Sequence, residues 1–254
     1  MIRLSPAERL LMDLGIERPG EIDLEAIAAD QGVRVKYRPL DGCEARIVGN
    51  DRHAIVSINV DSRRTRQRFS LAHELGHWYH HKGRCLFCAS NKIGNPETGP
   101  LDPERHADDY AADLVLPNFM LRPRLVGLRR VSFAKAREIA DEFGVSLAAT
   151  LIKIVSTNLF PLVVICHDKG GRKWFRRPDN VANWWFPRRD LDRDSFAHAI
   201  LNEGAPDDTV PHLLDADAWF DFRGADREQV HEQSIRWGEK HVLTLLTLPE
   251  RAVG

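Results

Sequence analysis

The chain has 254 residues, which is roughly enough for one large domain or two to three smaller ones, each with its own hydrophobic core. Charged residues make up 29% and hydrophobic residues 43% of it, and this composition excludes a fibrous, collagen-like or wholly disordered chain. The net charge of −1 disfavours a protein that binds nucleic acid over most of its surface, although it is compatible with a local basic patch.

The sequence predicts a cytoplasmic protein that does not enter a membrane. No apolar run approaches the ~18 residues that a membrane helix needs. The N-terminal segment carries Arg3, Glu8 and Arg9 where a signal peptide would carry an apolar core. Four cysteines are too few for a disulfide framework in a chain of this length, which agrees with a reducing compartment.

The first 128 residues are predicted to form a domain that contains both helices and strands. Leu24, Ile27 and Ala28 give a short helical stripe, which Gly32 ends. Three stretches rich in β-branched residues follow, and we expect them to pair as hairpins in a small antiparallel-type sheet, at residues 33–37, 45–48 and 54–60. The predicted fold class is therefore α+β.

Two longer helices are predicted after these strands. Asp61 can cap the first of them, which runs to about residue 82. A loop rich in glycine, asparagine and proline follows at residues 84–100. The second helix is expected to begin with Asp102 as its cap and Pro103 at its first position, and to end before Pro117.

The rest of the chain is predicted to form two further segments. Residues 129–158 have a helix-turn-helix outline, with helices at 132–143 and 147–155. The composition changes near Leu159, and residues 159–254 are assigned to a C-terminal domain that starts with a β-hairpin. Five of the six tryptophans lie in that domain, where they can form its core or line a ligand pocket; core packing is the interpretation that we prefer.

The residues that point to chemistry are the HELGH motif at positions 73–77, on the first long helix. Two histidines four residues apart lie about 40° apart around a helix, so both imidazoles project from one face and can bind one metal ion. Glu74 lies beside them, where it can hold and deprotonate a water molecule at the metal. The alternative is an accidental pair of histidines, and the small residues that flank the pair argue against it.

A catalytic zinc needs a third protein ligand and an open position for water. The metzincin pattern would require glycine at position 80 and histidine at position 83, whereas the sequence has His80 and Gly83, so that class is excluded. Glu104, in the first turn of the next helix, is the natural third ligand. Asp108 comes one turn later and can accept the free ring N–H of a ligating histidine. Alternatively, both carboxylates are acidic groups at the solvated start of a helix.

Two runs of sequence resemble the ImmA/IrrE family of zinc metallopeptidases. Residues 66–77 read RQRFSLAHELGH, and residues 104–117 read ERHADDYAADLVLP. The family pattern is R-x-R-F-[ST]-L-A-H-E-L-G-H followed by E-x-x-A-[ND]-x-[FY]-A-A-x-L-L-x-P, and each chemically important position of it is present here. The resemblance covers the predicted catalytic part, at residues 20–120.

The resemblance implies a zincin-like domain with a gluzincin-like ligand set. His73, His77 and Glu104 would bind one Zn²⁺, with Mn²⁺ as a substitute, and Glu74 would be the general base. In the IrrE branch a helix-turn-helix segment and a GAF-like domain follow, so the C-terminal domain here is expected to be regulatory or sensing. Family members cleave helix-turn-helix transcriptional repressors and so relieve repression of stress-response or mobile-element genes. The implied function is a site-specific endopeptidase whose substrate is such a repressor.

A basic stretch follows the second motif. Residues 121–137 contain six basic residues and no acidic one. Such a stretch is usually a solvated face, but it can instead contact a repressor, or the DNA that carries it, through the side chains of Arg122, Arg124, Arg129 and Arg130. The second helix of the helix-turn-helix outline carries only Lys153 as a basic residue, so direct DNA reading by that helix is disfavoured.

Two alternatives stay open. Cys85 and Cys88 form a CxxC pair outside the family pattern, which can bind a second metal, act as a thiol switch or be two reduced thiols in a loop. The rival function is a non-catalytic, metal-binding transcription regulator that acts through its helix-turn-helix. Glu74 argues against it, because a structural metal site needs no general base and tends to close with a fourth ligand.

Overall fold

The computed structural model of the chain describes residues 4–81, 86–88 and 102–254. By their contacts these residues form two compact units. The first contains the chain up to Leu125 together with Ile139–Ala149, and the second contains Val126–Glu138 together with Thr150–Gly254. Both units contain helices, the first with a four-stranded sheet and the second with a five-stranded one, so the predicted α+β class is confirmed.

The first unit begins with two short helices and a sheet. The helices are α1 (Pro6–Asp13) and α2 (Leu24–Asp30), and the strands are β1 (Val33–Arg38), β2 (Ala45–Gly49), β3 (Ala54–Asn59) and β4 (Leu86–Cys88). Ser5 and Glu8 form a capping box that fixes the start of α1, and Asp23 caps α2. The strands predicted at 33–37, 45–48 and 54–60 are confirmed to within about two residues at their ends.

The sheet is mixed, and the expectation of hairpins throughout was wrong. Its order is β1-β3-β2-β4; β3 pairs antiparallel with β2 but parallel with β1. The physical reason is burial: β3 carries Ala54, Val56 and Ile58 on its buried face, each at most 4% exposed, and it occupies an inner position of the sheet. The strand that follows β1 in the chain therefore does not lie beside it.

Two helices carry the sequence motifs. Helix α3 (Arg64–His81) begins three residues after Asp61, the predicted cap, and α4 is Pro103–Val115. Asp102 caps α4 as predicted, because its side chain accepts a hydrogen bond from the Glu104 N–H at 2.9 Å, and Pro103 takes the first helical position. Three further helices follow, namely α5 (Asn118–Leu125), α6 (Phe133–Phe143) and α7 (Leu147–Ser156).

The second unit is built on an antiparallel sheet of order β6-β5-β9-β8-β7. Its strands are β5 (Leu162–Asp168), β6 (Gly171–Arg176), β7 (Asp208–Asp215), β8 (Gln229–Trp237) and β9 (His241–Thr247), and the short helix α8 is Phe196–His198. The predicted hairpin corresponds to β5 and β6. Trp185, Trp219 and Phe220 lie in the core of this unit and are at most 2% exposed.

Candidate metal centre

Helix α3 presents its two motif histidines to one buried point. His73 and His77 are one helical turn apart, and their side chains are almost fully buried. Their Nε2 atoms lie 3.0 Å from each other, so the two ring nitrogens converge rather than point along the helix. Two imidazole nitrogens that face one point are a metal-binding arrangement.

Helix α4 brings a carboxylate to the same point. Glu104 Oε2 lies 3.4 Å from His73 Nε2, and Glu104 Oε1 lies 3.3 Å from His77 Nε2. Of the residues that the structure describes, these are the three that form a group able to hold a metal ion. Ligands about 2.1 Å from a tetrahedral ion lie about 3.4 Å from one another, and the measured separations of 3.0, 3.3 and 3.4 Å are close to this value.

Asp108 fixes the tautomer of His73. Its Oδ1 lies 2.8 Å from His73 Nδ1, so Nδ1–H donates to the carboxylate and Nε2 is the ring nitrogen that faces the converging point. Burial alone would lower the pKa of His73, but hydrogen bonds to Asp108 and Glu104 outweigh burial and raise this pKa to about 9. Hydrogen bonds from His73 and His77 lower the pKa of Glu104. The surroundings therefore favour positive charge at this point.

A glycine lets the two helices come close enough to assemble the group. A Cβ atom at Gly76 would lie 2.8 Å from Ala107 Cα and 2.9 Å from Ala107 O, which is closer than real Cβ contacts allow. Ala107 follows Glu104 by three residues and precedes Asp108, so both carboxylates lie on the part of α4 that packs against the motif. The small residues in the sequence thus have a packing role.

Glu74 is buried beside the converging ligands. Its side chain is 0% exposed, and its charge contributes to the raised pKa of His73. A carboxylate at this place can exchange protons with a water molecule or substrate bound at the ligands.

Three residues close to the motifs in sequence carry N–H or O–H groups that an oxyanion could accept from, and each has a different setting. Arg68 donates from Nη2 to the Ile22 carbonyl at 2.9 Å. Tyr110 is 5% exposed and stacks on Tyr79, with 5.2 Å between ring centroids. His106 is exposed on α4. None of these contacts identifies an oxyanion donor.

The residues of the basic stretch differ in what they contact. Arg124 forms an ion pair with Glu142, donates to the Met120 carbonyl at 2.5 Å and lies over the Phe143 ring. Arg122 is partly buried, whereas Arg129 and Arg130 are exposed and line a surface cavity of the second unit. Helix α7 has six buried residues among its ten, Lys153 included, so it offers few side chains for a DNA groove.

Cys85 and the side chain of Cys88 lie outside the described residues, so the role of this CxxC pair stays a prediction.

Among the described helices, none combines the length and the apolar character that crossing a bilayer requires.

The comparisons with known proteins agree with the motifs. The chain matches the IrrE N-terminal-like domain of peptidase family M78 over residues 28–155. A Mycobacterium tuberculosis transcriptional regulator shares the fold with a TM-score of 0.63 at 12% identity, covering 95% of this chain and 74% of that one. A search of curated proteins found no match. Because the matched domain spans half of the 254 residues and contains the metal-binding group, the chain belongs to the ImmA/IrrE family of metallopeptidases.

Proposed function

We propose that the protein is a zinc-dependent, site-specific endopeptidase of the cytoplasm that cleaves a helix-turn-helix transcriptional repressor. The observation that carries this proposal is the group formed by His73, His77 and Glu104, whose donor atoms have tetrahedral separations beside the buried carboxylate of Glu74. Two imidazoles and one carboxylate leave one corner for water, which is the ligand set of a catalytic rather than a structural zinc. Mn²⁺ can take the same donors.

The residues of the site have distinct tasks. A zinc ion held by the three ligands would supply a Lewis acid for the scissile carbonyl. Glu74 takes a proton from the attacking water on a carboxylate oxygen and passes a proton to the nitrogen of the leaving amine. Asp108 keeps the His73 proton on Nδ1, so that Nε2 stays a ligand.

The substrate proposal rests on the family and on the rest of the chain. The resemblance to the ImmA/IrrE family implies a helix-turn-helix repressor as substrate, and the similar structure from Mycobacterium tuberculosis is described as a transcriptional regulator. We assign residues 1–128 to a zincin-like peptidase domain, 129–158 to a helix-turn-helix-like segment and 159–254 to a GAF-like sensor or regulatory domain. The additional segments suit an enzyme that acts on one substrate rather than a degradative protease.

Arg129 and Arg130 are the proposed contact with the repressor. Both side chains are exposed, and positive charge on a surface steers an acidic partner and orients it. Arg124 is left out of this surface because its guanidinium is held by Glu142 and Met120. Arg122 stays a weaker candidate, since it is partly buried.

The test is incubation with the repressor encoded nearest to this gene, followed by mass analysis of the fragments. We expect one cut in a loop or at a helix end, where the backbone can enter the site extended, and its loss when a chelator is added. Glu74→Gln should keep zinc and fold but cleave at least about a hundredfold more slowly, because it lacks the base. His73→Ala should lose zinc and cleavage together.

Charge-reversal variants distinguish weaker contact with the repressor from damage to the metal centre. Arg129→Glu with Arg130→Glu should weaken cleavage of the repressor without changing the zinc content, while Arg193→Glu, at another exposed arginine, should change neither. Chelator-sensitive digestion of casein at many sites would overturn the proposed specificity. Full activity of Glu74→Gln would refute the role of Glu74.

The rival function is that of a metal-binding transcription regulator without peptidase activity. The description of the similar structure as a transcriptional regulator is the observation that favours it. Binding of the zinc-loaded chain to operator DNA, with no cleavage of the repressor by the same preparation, would support this rival over the peptidase.

A further inference from the structure

The second unit has a cavity whose walls combine aromatic rings with arginines. Its volume is about 530 Å³, which is within the size range of small-molecule sites. Its rings come from Trp184, Phe186 and Phe222, its cations from Arg172, Arg188 and Arg189, and its carboxylates from Asp190 and Asp221. The metal-binding residues and the basic stretch are not part of it.

The backbone holds two of these rings outward. Trp185 is 2% exposed and contacts the rings of Phe220 and Phe222 at centroid distances of 5.0 and 4.9 Å, so it anchors the segment in the core. Its neighbours on alternate positions, Trp184 and Phe186, are 61% and 53% exposed. Two large rings held outward on an anchored backbone are a binding surface rather than part of the core.

The same segment is fastened at its other end. Pro187 forms a β-bridge with Phe220, and the Arg188 N–H donates to the Trp219 carbonyl at 2.7 Å. Arg172 donates to the carbonyls of Pro187 and Arg188, and its guanidinium lies 4.5 Å from the centroid of the Phe186 ring. The position of the Phe186 ring is therefore set before any ligand binds.

Arg188 also lies in the cavity wall, and the contacts described above involve its backbone but not its guanidinium. Its Nε is buried and makes no hydrogen bond to any residue that the structure describes, and none of the ion pairs among those residues includes Arg188. The side chain as a whole is half-buried in the cavity wall, so the outer N–H groups of the guanidinium can donate to an anionic ligand there.

We propose that this cavity binds a small planar aromatic molecule that carries one anionic group and a ring amine. The ring would stack on Trp184 and Phe186, and the anionic group would accept hydrogen bonds from Arg188. The amine would donate to the carboxylate of Asp190 or Asp221. Nucleoside monophosphates and amino-substituted aromatic acids are the two sources of this chemistry.

Isothermal titration of the full chain with adenosine 5′-monophosphate and with 4-aminobenzoate tests the proposal. We expect at least one of them to bind with a dissociation constant below about 1 mM, and adenosine, benzene or inorganic phosphate to bind at least about tenfold more weakly. If only the nucleotide or only the acid binds, that result identifies the source. The constant should be the same after dialysis against a chelator, which excludes binding at the metal centre.

Matched variants locate the site. Arg188→Gln and Trp184→Ala should each weaken binding by at least about tenfold, whereas Trp184→Phe should retain it because a ring remains. Arg193→Gln and Trp237→Phe, which change residues outside the cavity, should bind as the wild type does. Absence of binding by both probes at about 10 mM would overturn the proposal, and so would equal binding by Arg188→Gln and Trp184→Ala whose circular dichroism shows a native fold.

Discussion

Asp108 is the residue whose contact with His73 has the clearest consequence for the metal centre. The 2.8 Å hydrogen bond to Nδ1 sets which nitrogen of the ring keeps its proton. Without it the ring can adopt the other tautomer and can rotate, and both changes remove Nε2 from the ligand position. We therefore expect Asp108 to influence the affinity for a metal ion that it does not ligate.

Asp108→Ala should weaken zinc binding by about ten- to a hundredfold without abolishing it. Asp109→Ala is the matched control, because that neighbouring carboxylate is 73% exposed and lies 4.0 Å from Arg105 Nε. Competition for zinc with a coloured chelator measures both affinities. Equal affinities in the two variants would contradict the role given to Asp108.

At the scale of elements, the crossing of α3 and α4 assembles the site. The HELGH motif and Glu104 are far apart in the chain, and their donor atoms meet because Gly76 allows the α4 backbone to approach. The glycine costs helix stability, since it loses more conformational entropy than alanine would. Its presence inside the motif is therefore explained by packing.

Gly76→Ala should push the helices apart, destabilise the first unit by about 1–3 kcal/mol and weaken zinc binding. Gly20→Ala is the control, because a Cβ there meets nothing within 4 Å. Thermal unfolding in chelator gives the first effect and zinc competition gives the second. If Gly76→Ala binds zinc as tightly as the wild type, the close crossing is not what positions Glu104.

The helices of this protein could be predicted more fully than its sheets. The start of α4 is determined by two neighbouring residues, Asp102 and Pro103. The start of α7 is determined by Ser146, whose hydroxyl accepts a hydrogen bond from the Ala149 N–H at 3.2 Å. The parallel pairing of β1 with β3 and the five-stranded order of the second unit depend on burial and on contacts distant in sequence. No local signal encodes those pairings.

At the scale of the whole molecule, the second unit has a polar group at the centre of its core. Glu232 is 0% exposed and accepts hydrogen bonds from the Ala197 N–H, the Trp219 indole N–H and the Ser234 hydroxyl at 2.7–2.8 Å. Burial raises the pKa of Glu232, although these hydrogen bonds oppose the shift. The folded state therefore holds the proton more tightly than the unfolded chain does.

This difference predicts how stability depends on pH. Glu232→Gln loses an acceptor for the Trp219 indole and should be less stable by about 1–3 kcal/mol. As pH rises from the unfolded pKa of about 4.3 through the higher folded value, the wild type loses stability that the non-titrating variant keeps. The difference in free energy of unfolding should thus narrow as pH rises above about 4, measured by urea unfolding in chelator. A difference that widens with pH would contradict the raised pKa.

The metal-binding group could be predicted from sequence, whereas the aromatic and arginine cavity could not. Two histidines one turn apart are predicted to lie on one face of a helix, and the family pattern identifies Glu104 as the third ligand. The cavity depends on which of Trp184 and Trp185 points outward, and that is decided by the Pro187 bridge and the anchoring of Trp185 in the core. Adjacent tryptophans in the sequence indicate neither direction.

The central claim, that His73, His77 and Glu104 hold one catalytic zinc, is tested most directly by anomalous diffraction at the zinc edge from crystals of the zinc-loaded chain. We expect one strong peak about 2.0–2.2 Å from both Nε2 atoms and from the Glu104 carboxylate, with the fourth position open to water. A peak elsewhere, or a fourth protein ligand that closes the site, would contradict it.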